Sequence, residues 1–298
     1  MAPSTTSTER QPLKILMLHG YTQSGSLFRA KTGALAKALT KAFPLHTVSL
    51  SYPTGPLRLT PSDVPGYTPS WNDPVAEANE IEAYGWWRRS NTANPPEYVG
   101  INNGLATVAK TLREEGPFDG VIGFSQGATM AYMVASLLEE ERKGAFDHFA
   151  ALGSASNGNS SCNGEDGGIT GIPFPEEFAP ENTGNHPPFK FAILYSGFRA
   201  PGSRYRGFYE NPQLRTPALH VLGTLDAVVD EQRGRELMAA CAGDPEKDGR
   251  VVFHPGGHFV PSQKTYLDAA VVFVRRSLEG GNKKDGEEER VEDMDMPF

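Results

Sequence analysis

The chain has 298 residues, with 28 Lys and Arg against 36 Asp and Glu, a net charge of -8 and a pI near 5.4. That balance excludes a basic nucleic-acid-binding face. Two cysteines, Cys162 and Cys241, make neither a disulfide framework nor a zinc pattern, and no stretch reaches the roughly 18 apolar residues of a membrane span.

Met1 to Pro12 is polar and lacks the apolar core of a signal peptide, so residues 1–12 are expected to be disordered and the protein cytoplasmic. Leu13 to Leu18 is an apolar run that predicts a buried strand. It leads into His19-Gly20-Tyr21-Thr22, a polar loop suited to turning backbone N–H groups inward. His19 reads as the residue that orients this loop, because a better-placed histidine follows later. Phe28 to Phe43, with Leu35 and Leu39 spaced for one face, predicts an amphipathic helix, and Leu45 to Leu50 a second strand.

Residues 51–96 differ. Eight prolines, Pro53, Pro56, Pro61, Pro65, Pro69, Pro74, Pro95 and Pro96, break regular structure there. All three tryptophans, Trp71, Trp86 and Trp87, fall in the same stretch. A connection this long inside a domain suits a lid-like insertion with the tryptophans as a substrate-binding wall. The alternative is a packed excursion that they merely anchor. Arg88 and Arg89 read either as solvated or as partners of an anionic substrate group.

Tyr98 to Glu115 predicts a helix with Ile101, Leu105, Val108 and Leu112 on one face. Asp119 to Ile122 predicts a strand, and Ala128 to Arg142 a helix whose Met130, Met133, Leu137 and Leu138 belong to the core. Residues 154–188, rich in Gly, Asn, Ser and Pro, form a second long loop carrying Cys162, with nothing beside that thiol to activate it. Strands follow at Phe189 to Ser196, Pro217 to Leu222 and Arg250 to His254. Helices are expected at Glu231 to Cys241 and Gln263 to Leu278. The stretch from Glu279 onward has eight acids against Lys283, Lys284 and Arg290 and almost no apolar content. It predicts a disordered tail, solubilising or partner-binding. Strands alternating with helices imply an α/β domain over 13–278, with a mostly parallel sheet covered on both faces.

Between the strand at 119–122 and the helix at 128 lies Gly123-Phe124-Ser125-Gln126-Gly127. Strand, Gly-x-Ser-x-Gly, helix is the arrangement of a nucleophile elbow. The turn must be tight enough to lift the Ser125 hydroxyl above the strand end, and side chains at 123 and 127 would collide. Downstream, Asp226 follows the strand 217–222, and His258 lies in the glycine-rich loop after the strand 250–254. The order Ser125, Asp226, His258 matches that of α/β-hydrolases. A serine hydroxyl is a weak nucleophile at neutral pH and needs a base within hydrogen-bond reach, which His258 supplies and Asp226 orients. His254 and Asp230 are the competitors, the first within its strand, the second suited to cap the helix at 231. The backbone N–H groups of Tyr21 and Gln126 are the candidate oxyanion donors.

Five stretches then carry a family resemblance: LKILMLHGYTQSGSLFRAKTGALAKAL from Leu13, FDGVIGFSQGATMA from Phe118, FKFAILYSGFRA from Phe189, TPALHVLGTLDAVVD from Thr216 and VVFHPGGHFVP from Val251. Together they span nearly all of 13–278. The chain resembles the FSH group (family of serine hydrolases) of the α/β-hydrolase superfamily. The resemblance implies nucleophile Ser125, acid Asp226, base His258 and cleavage of small-molecule carboxylic esters or thioesters, without cofactor or metal. Some members release polyketide or fatty-acyl chains from carrier thioesters, which extends the expected partners to an acyl-carrier protein or polyketide synthase. The long segments 51–96 and 154–188 depart from shorter members, so the substrate carries over poorly. A short-chain carboxylesterase and a non-catalytic binding protein of the same fold are the alternatives.

Overall fold

The computed structural model describes residues 10–64, 82–155 and 170–280. Trp71, Cys162 and the acidic stretch from 281 lie outside them.

The elements run β1 (Gln11–Leu18), α1 (Gly25–Lys31), α2 (Gly33–Ala42), β2 (His46–Ser51), β3 (Leu57–Arg58), β4 (Tyr84–Gly85), β5 (Arg88–Arg89), β6 (Tyr98–Val99), α3 (Ile101–Glu115), β7 (Gly120–Phe124), α4 (Gln126–Leu137), α5 (Arg142–Ala155), β8 (Phe191–Tyr195), β9 (Ala218–Gly223), α6 (Glu231–Met238), β10 (Val251–His254) and α7 (Lys264–Gly280). Six strands form one parallel sheet in the order β10-β9-β8-β7-β1-β2. β7, β8 and β9 are buried at every residue, as parallel strands covered on both faces must be. Alternation along β1 divides the core. Leu16 and Leu18 join the apolar cluster that holds Leu105 of α3 and Met130 of α4. Ile15 and Met17 join the cluster with Leu35 and Leu39 of α2 and Phe273 and Val274 of α7. The chain leaves β1 toward β2 and returns on the other side at β7, so the order reverses between β1 and β7. Ligands of open α/β sheets bind at that crevice, beyond the carboxyl ends of the strands.

Several expected boundaries move. β1 starts at Gln11, which pairs with His46, so a strand begins inside the stretch expected to be disordered. At the other end α7 runs to Gly280, past the expected limit at 278. The helix expected over 28–43 is two helices that meet at Thr32. The Thr32 hydroxyl donates back to the Phe28 carbonyl at 2.7 Å, and Gly33 follows. Such a back-bond competes with helix continuation. The helix expected from Tyr98 starts at Ile101, because Gly100 sits at φ +84° and Tyr98–Val99 pairs antiparallel with Arg88–Arg89. α5 was not expected at all. Its first residue, Arg142, is fully buried and donates to the Pro212 and Gly207 carbonyls and to Glu139.

The described flanks of the 51–96 segment are packed. β3 pairs with β4, and β5 pairs with β6 just beyond the segment, while Trp86 between the two ribbons bonds to His19 and Gln126 at the end of the sheet. Among the described residues no helix is long and apolar enough to cross a membrane.

Candidate active site

Ser125 stands between the end of β7 and the first turn of α4, at φ +54° and ψ -119°. A non-glycine residue there is strained, and the surroundings hold it in place. A Cβ at Gly123 would lie 2.2 Å from the Gly127 carbonyl oxygen, and one at Gly127 would lie 2.1 Å from that of Leu18. Both glycines are therefore steric requirements of the turn. The Ser125 N–H donates to the Tyr195 carbonyl at 2.8 Å, tying the turn to β8.

Three loops bring the partners together. The His258 ring lies with Nε2 at 2.8 Å from Ser125 Oγ and Nδ1 at 2.7 Å from Asp226 Oδ2. A carboxylate only accepts, so the proton sits on Nδ1 and Nε2 is free to accept from the Ser125 hydroxyl. Asp226 is itself fixed, because its Oδ1 accepts the N–H groups of Val228 and Val229, both at 2.9 Å. Its side chain is 2 % exposed. Burial pushes this carboxyl up, but the bonds from His258, Val229 and Val228 outweigh it and hold it below the usual range. Phe124 packs on the His258 ring at 4.8 Å between centroids. The competitors lie elsewhere. Asp230 caps α6 by accepting the Arg233 N–H at 2.9 Å. His254 ends β10, buried between Phe259 and Tyr266.

The loop after β1 reaches the same place. Neither the Tyr21 nor the Gln126 backbone N–H meets a protein acceptor among the described residues. Gln126 opens α4, whose N-terminal N–H groups lack intrahelical partners. His19 behind this loop is structural. Its Nδ1–H donates to the Gly20 carbonyl at 2.8 Å, and its Nε2 accepts the Gly55 N–H at 2.8 Å. Burial lowers its pKa to about 4, so it is neutral and has both nitrogens committed.

The tryptophans divide. Trp86 is fully buried, stacked on His19 at 4.9 Å, with its indole N–H on the His19 carbonyl. Its place as a substrate wall is corrected: it is core that packs behind the loop after β1. Trp87 does line a cavity of about 800 Å³ that opens beside Ser125, together with Tyr21, Tyr98 and Phe198. Arg88, its side chain 40 % exposed, pairs with Asp63 at 2.6 Å on the cavity edge. Tyr98, Phe198 and Arg233 escaped sequence reading, because nothing local marks residues that only the tertiary fold brings to a rim. A second cavity, about 690 Å³ and lined by Phe189, Pro217 and Arg250, lies at the opposite ends of the strands and shares no residue with the triad.

A family model described as serine hydrolase (FSH1) matches residues 7–270. The chain belongs to this serine hydrolase family. Within the family, it is 31% identical to esterase OVCA2 of Danio rerio over 89% of this chain and 97% of that protein. It is 30% identical to family of serine hydrolases 3 of Saccharomyces cerevisiae, over 94% and 88%. It is also 33% identical to a Schizosaccharomyces pombe protein named dihydrofolate reductase, of whose length it spans only 45%. Among solved structures, Zea mays acyl-protein thioesterase 2 aligns with a TM-score of 0.50 at 19% identity, over 93% of this chain and 97% of that one. Esterase PE8 aligns with 0.51 at 17%, over 90% and 93%. At these identities the likeness is one of α/β-hydrolase fold.

Proposed function

We propose that this serine hydrolase cleaves carboxylic esters or thioesters through an acyl-enzyme on Ser125, with His258 as base and Asp226 as its orienting acid. The unbroken hydrogen-bond chain from Asp226 through His258 to Ser125, at 2.7 and 2.8 Å, carries this reading. As Ser125 Oγ attacks the carbonyl carbon, His258 Nε2 takes its proton and Asp226 stabilises the imidazolium. The oxygen gains negative charge beside the Tyr21 and Gln126 N–H groups and the start of α4. Collapse expels the alcohol or thiol, protonated by His258. Water then repeats the sequence on the acyl-enzyme and releases the acid. No step draws on a metal or cofactor.

The preferred acyl group is of medium length or bulky, since Trp87, Tyr98 and Phe198 give the cavity an aromatic wall. A carrier-bound thioester, delivered by an acyl-carrier protein or polyketide synthase, is the finest form of this reading, and a thiolate leaves readily once the oxyanion is held.

The test has two stages. A fluorophosphonate probe should label Ser125, and Ser125→Ala should lose label and lower turnover by about 10⁴-fold or more; a binding protein would not react. Then kcat/KM is measured for acetyl, hexanoyl, decanoyl and aromatic acyl groups as esters and thioesters. Best activity on acetyl esters without thioester cleavage would leave a short-chain carboxylesterase.

A further inference from the structure

The cavity beside Ser125 is positively charged on an acidic protein. Its charged lining is Arg88, Arg89, Arg199 and Arg233 against Asp63 and Glu236. Arg88 is neutralised by Asp63 and Arg199 by Glu210. Arg89 and Arg233 pair with no carboxylate among the described residues. Glu236, one turn beyond Arg233, is instead the acceptor of a Gln232 amide bond at 3.4 Å.

Arg233 is nevertheless held in place. Its guanidinium stacks over Phe198 at 4.4 Å and donates to the Val228 carbonyl at 3.3 Å, and both of those residues line the cavity. One bond leaves most of its five donors unused. Opposite, Tyr98 stands in a ring stack, 4.7 Å from Trp87 and 4.9 Å from Tyr205. Its backbone N–H takes the Tyr205 hydroxyl as acceptor, while its own hydroxyl has no hydrogen-bond partner among the described residues. Burial pushes that phenol far above its usual range, and the charges of Arg233 and Arg89 both pull it back down. Arg89 and Tyr98 are directly opposite each other across the antiparallel β5–β6 pair, so their side chains share one face, and both line the cavity with Arg233.

A neutral acyl chain needs only the aromatic wall. Two arginines without a carboxylate partner among the described residues and a spare phenol, lining one cavity, match an oxyanion ligand instead. We propose that Arg89, Arg233 and the Tyr98 hydroxyl form an anion-recognition site at the cavity mouth, selecting substrates that carry a carboxylate or phosphate besides the scissile bond. This rests on Ser125 as the acyl acceptor.

The experiment compares matched substrates on the whole chain. On the acyl side, the mono-4-nitrophenyl ester of glutaric acid is set against 4-nitrophenyl pentanoate. On the leaving-group side, butyryl-coenzyme A is set against butyryl-N-acetylcysteamine. In at least one pair the anionic member should have the higher kcat/KM, by about ten-fold or more, with the preference shrinking as salt rises. The responsive pair tells whether the anion belongs to the acyl or the leaving group. Arg89→Gln/Arg233→Gln should abolish the preference by losing activity selectively on the anionic member, and the lysine double variant should restore part of it. Hydrolysis of the neutral esters with no preference in either pair would overturn the anion site alone. No hydrolysis of any of the four, with no fluorophosphonate label, would overturn the Ser125 reading on which it rests.

Discussion

The side-chain oxygen of Gln126 accepts the Trp86 backbone N–H at 2.8 Å. The same amide donates to the Trp87 carbonyl at 2.9 Å. The residue after the elbow serine thus holds the Trp86–Trp87 link of the 51–96 segment with its side chain, while its own backbone N–H stays open to the site. Gln126→Ala leaves a buried donor and a buried acceptor unpaired, at about 1–3 kcal/mol each. The melting temperature should fall and kcat/KM with it. Gln126→Glu, which sets a buried carboxylate oxygen against the Trp87 carbonyl, should be no milder than Gln126→Ala. An unchanged melting temperature in Gln126→Ala would show that the amide does not hold the segment.

Trp86→Ala should act on the fold rather than on substrate choice. Removing a fully buried indole costs about 3–5 kcal/mol and frees His19 behind the loop after β1. The expected result is a lower melting temperature and a similar loss of kcat/KM on acetyl and decanoyl substrates. A loss confined to decanoyl substrates would return Trp86 to the pocket wall.

Asp226→Asn and Asp230→Asn should separate chemistry from capping. The first removes the acceptor that sets the His258 tautomer, and turnover should drop by about 10⁴-fold. The second retains a good N-cap, so both stability and turnover should hold; Asp230→Ala should cost about 1 kcal/mol of stability with turnover kept. Turnover and urea unfolding of the three variants check this. A collapse of turnover in Asp230→Asn would reassign the acid.

Stability should fall as pH drops from 7 to 5. Burial lowers the pKa of His19 to about 4 and that of His220, between β8 and β10 in the sheet, to about 3. The unfolded chain protonates these rings near pH 6.5, whereas the native chain does not until the lower values. Between those limits the unfolded state binds more protons, so stability rises with pH there and is fully present above 6.5. At pH 5 each ring should have cost about 2 kcal/mol. Urea midpoints at pH 7, 6 and 5 read the effect; a flat profile would contradict neutral burial of the two histidines.

Much of this site is written in short local patterns. Ser125 and Asp226 each follow an apolar run that folds as a fully buried strand, His258 follows the half-exposed edge strand β10, and a parallel sheet puts all such loops on one edge. The glycines at 123 and 127 announce the tight turn. What the sequence does not announce depends on contacts far along the chain. Whether Thr32 continues a helix or bonds back to Phe28 is a close local competition. α5 has Gly144 within it and gains its place from Phe146 packed edge-on against Phe208 and Phe174. Trp86 and Trp87 are neighbours in the short link between β4 and β5, yet one packs into the core behind His19 and the other lines the cavity, a division set by tertiary contacts and not by a local repeat.

The sheet edge also separates two kinds of residue by chain segment. Ser125, Asp226 and His258 sit at the ends of β7, β9 and β10. Arg89 and Tyr98 belong to the ribbon β5–β6, and Arg233 to a helix anchored at its own cap by Asp230. Changes confined to the side chains of Arg89, Tyr98 and Arg233 therefore touch none of the bonds among Ser125, His258 and Asp226, whereas Trp86 and Trp87 in the same segment stay tied to Gln126. Substrate range in this chain is open to drift by single side-chain changes at the rim, without replacement of the segment that carries them.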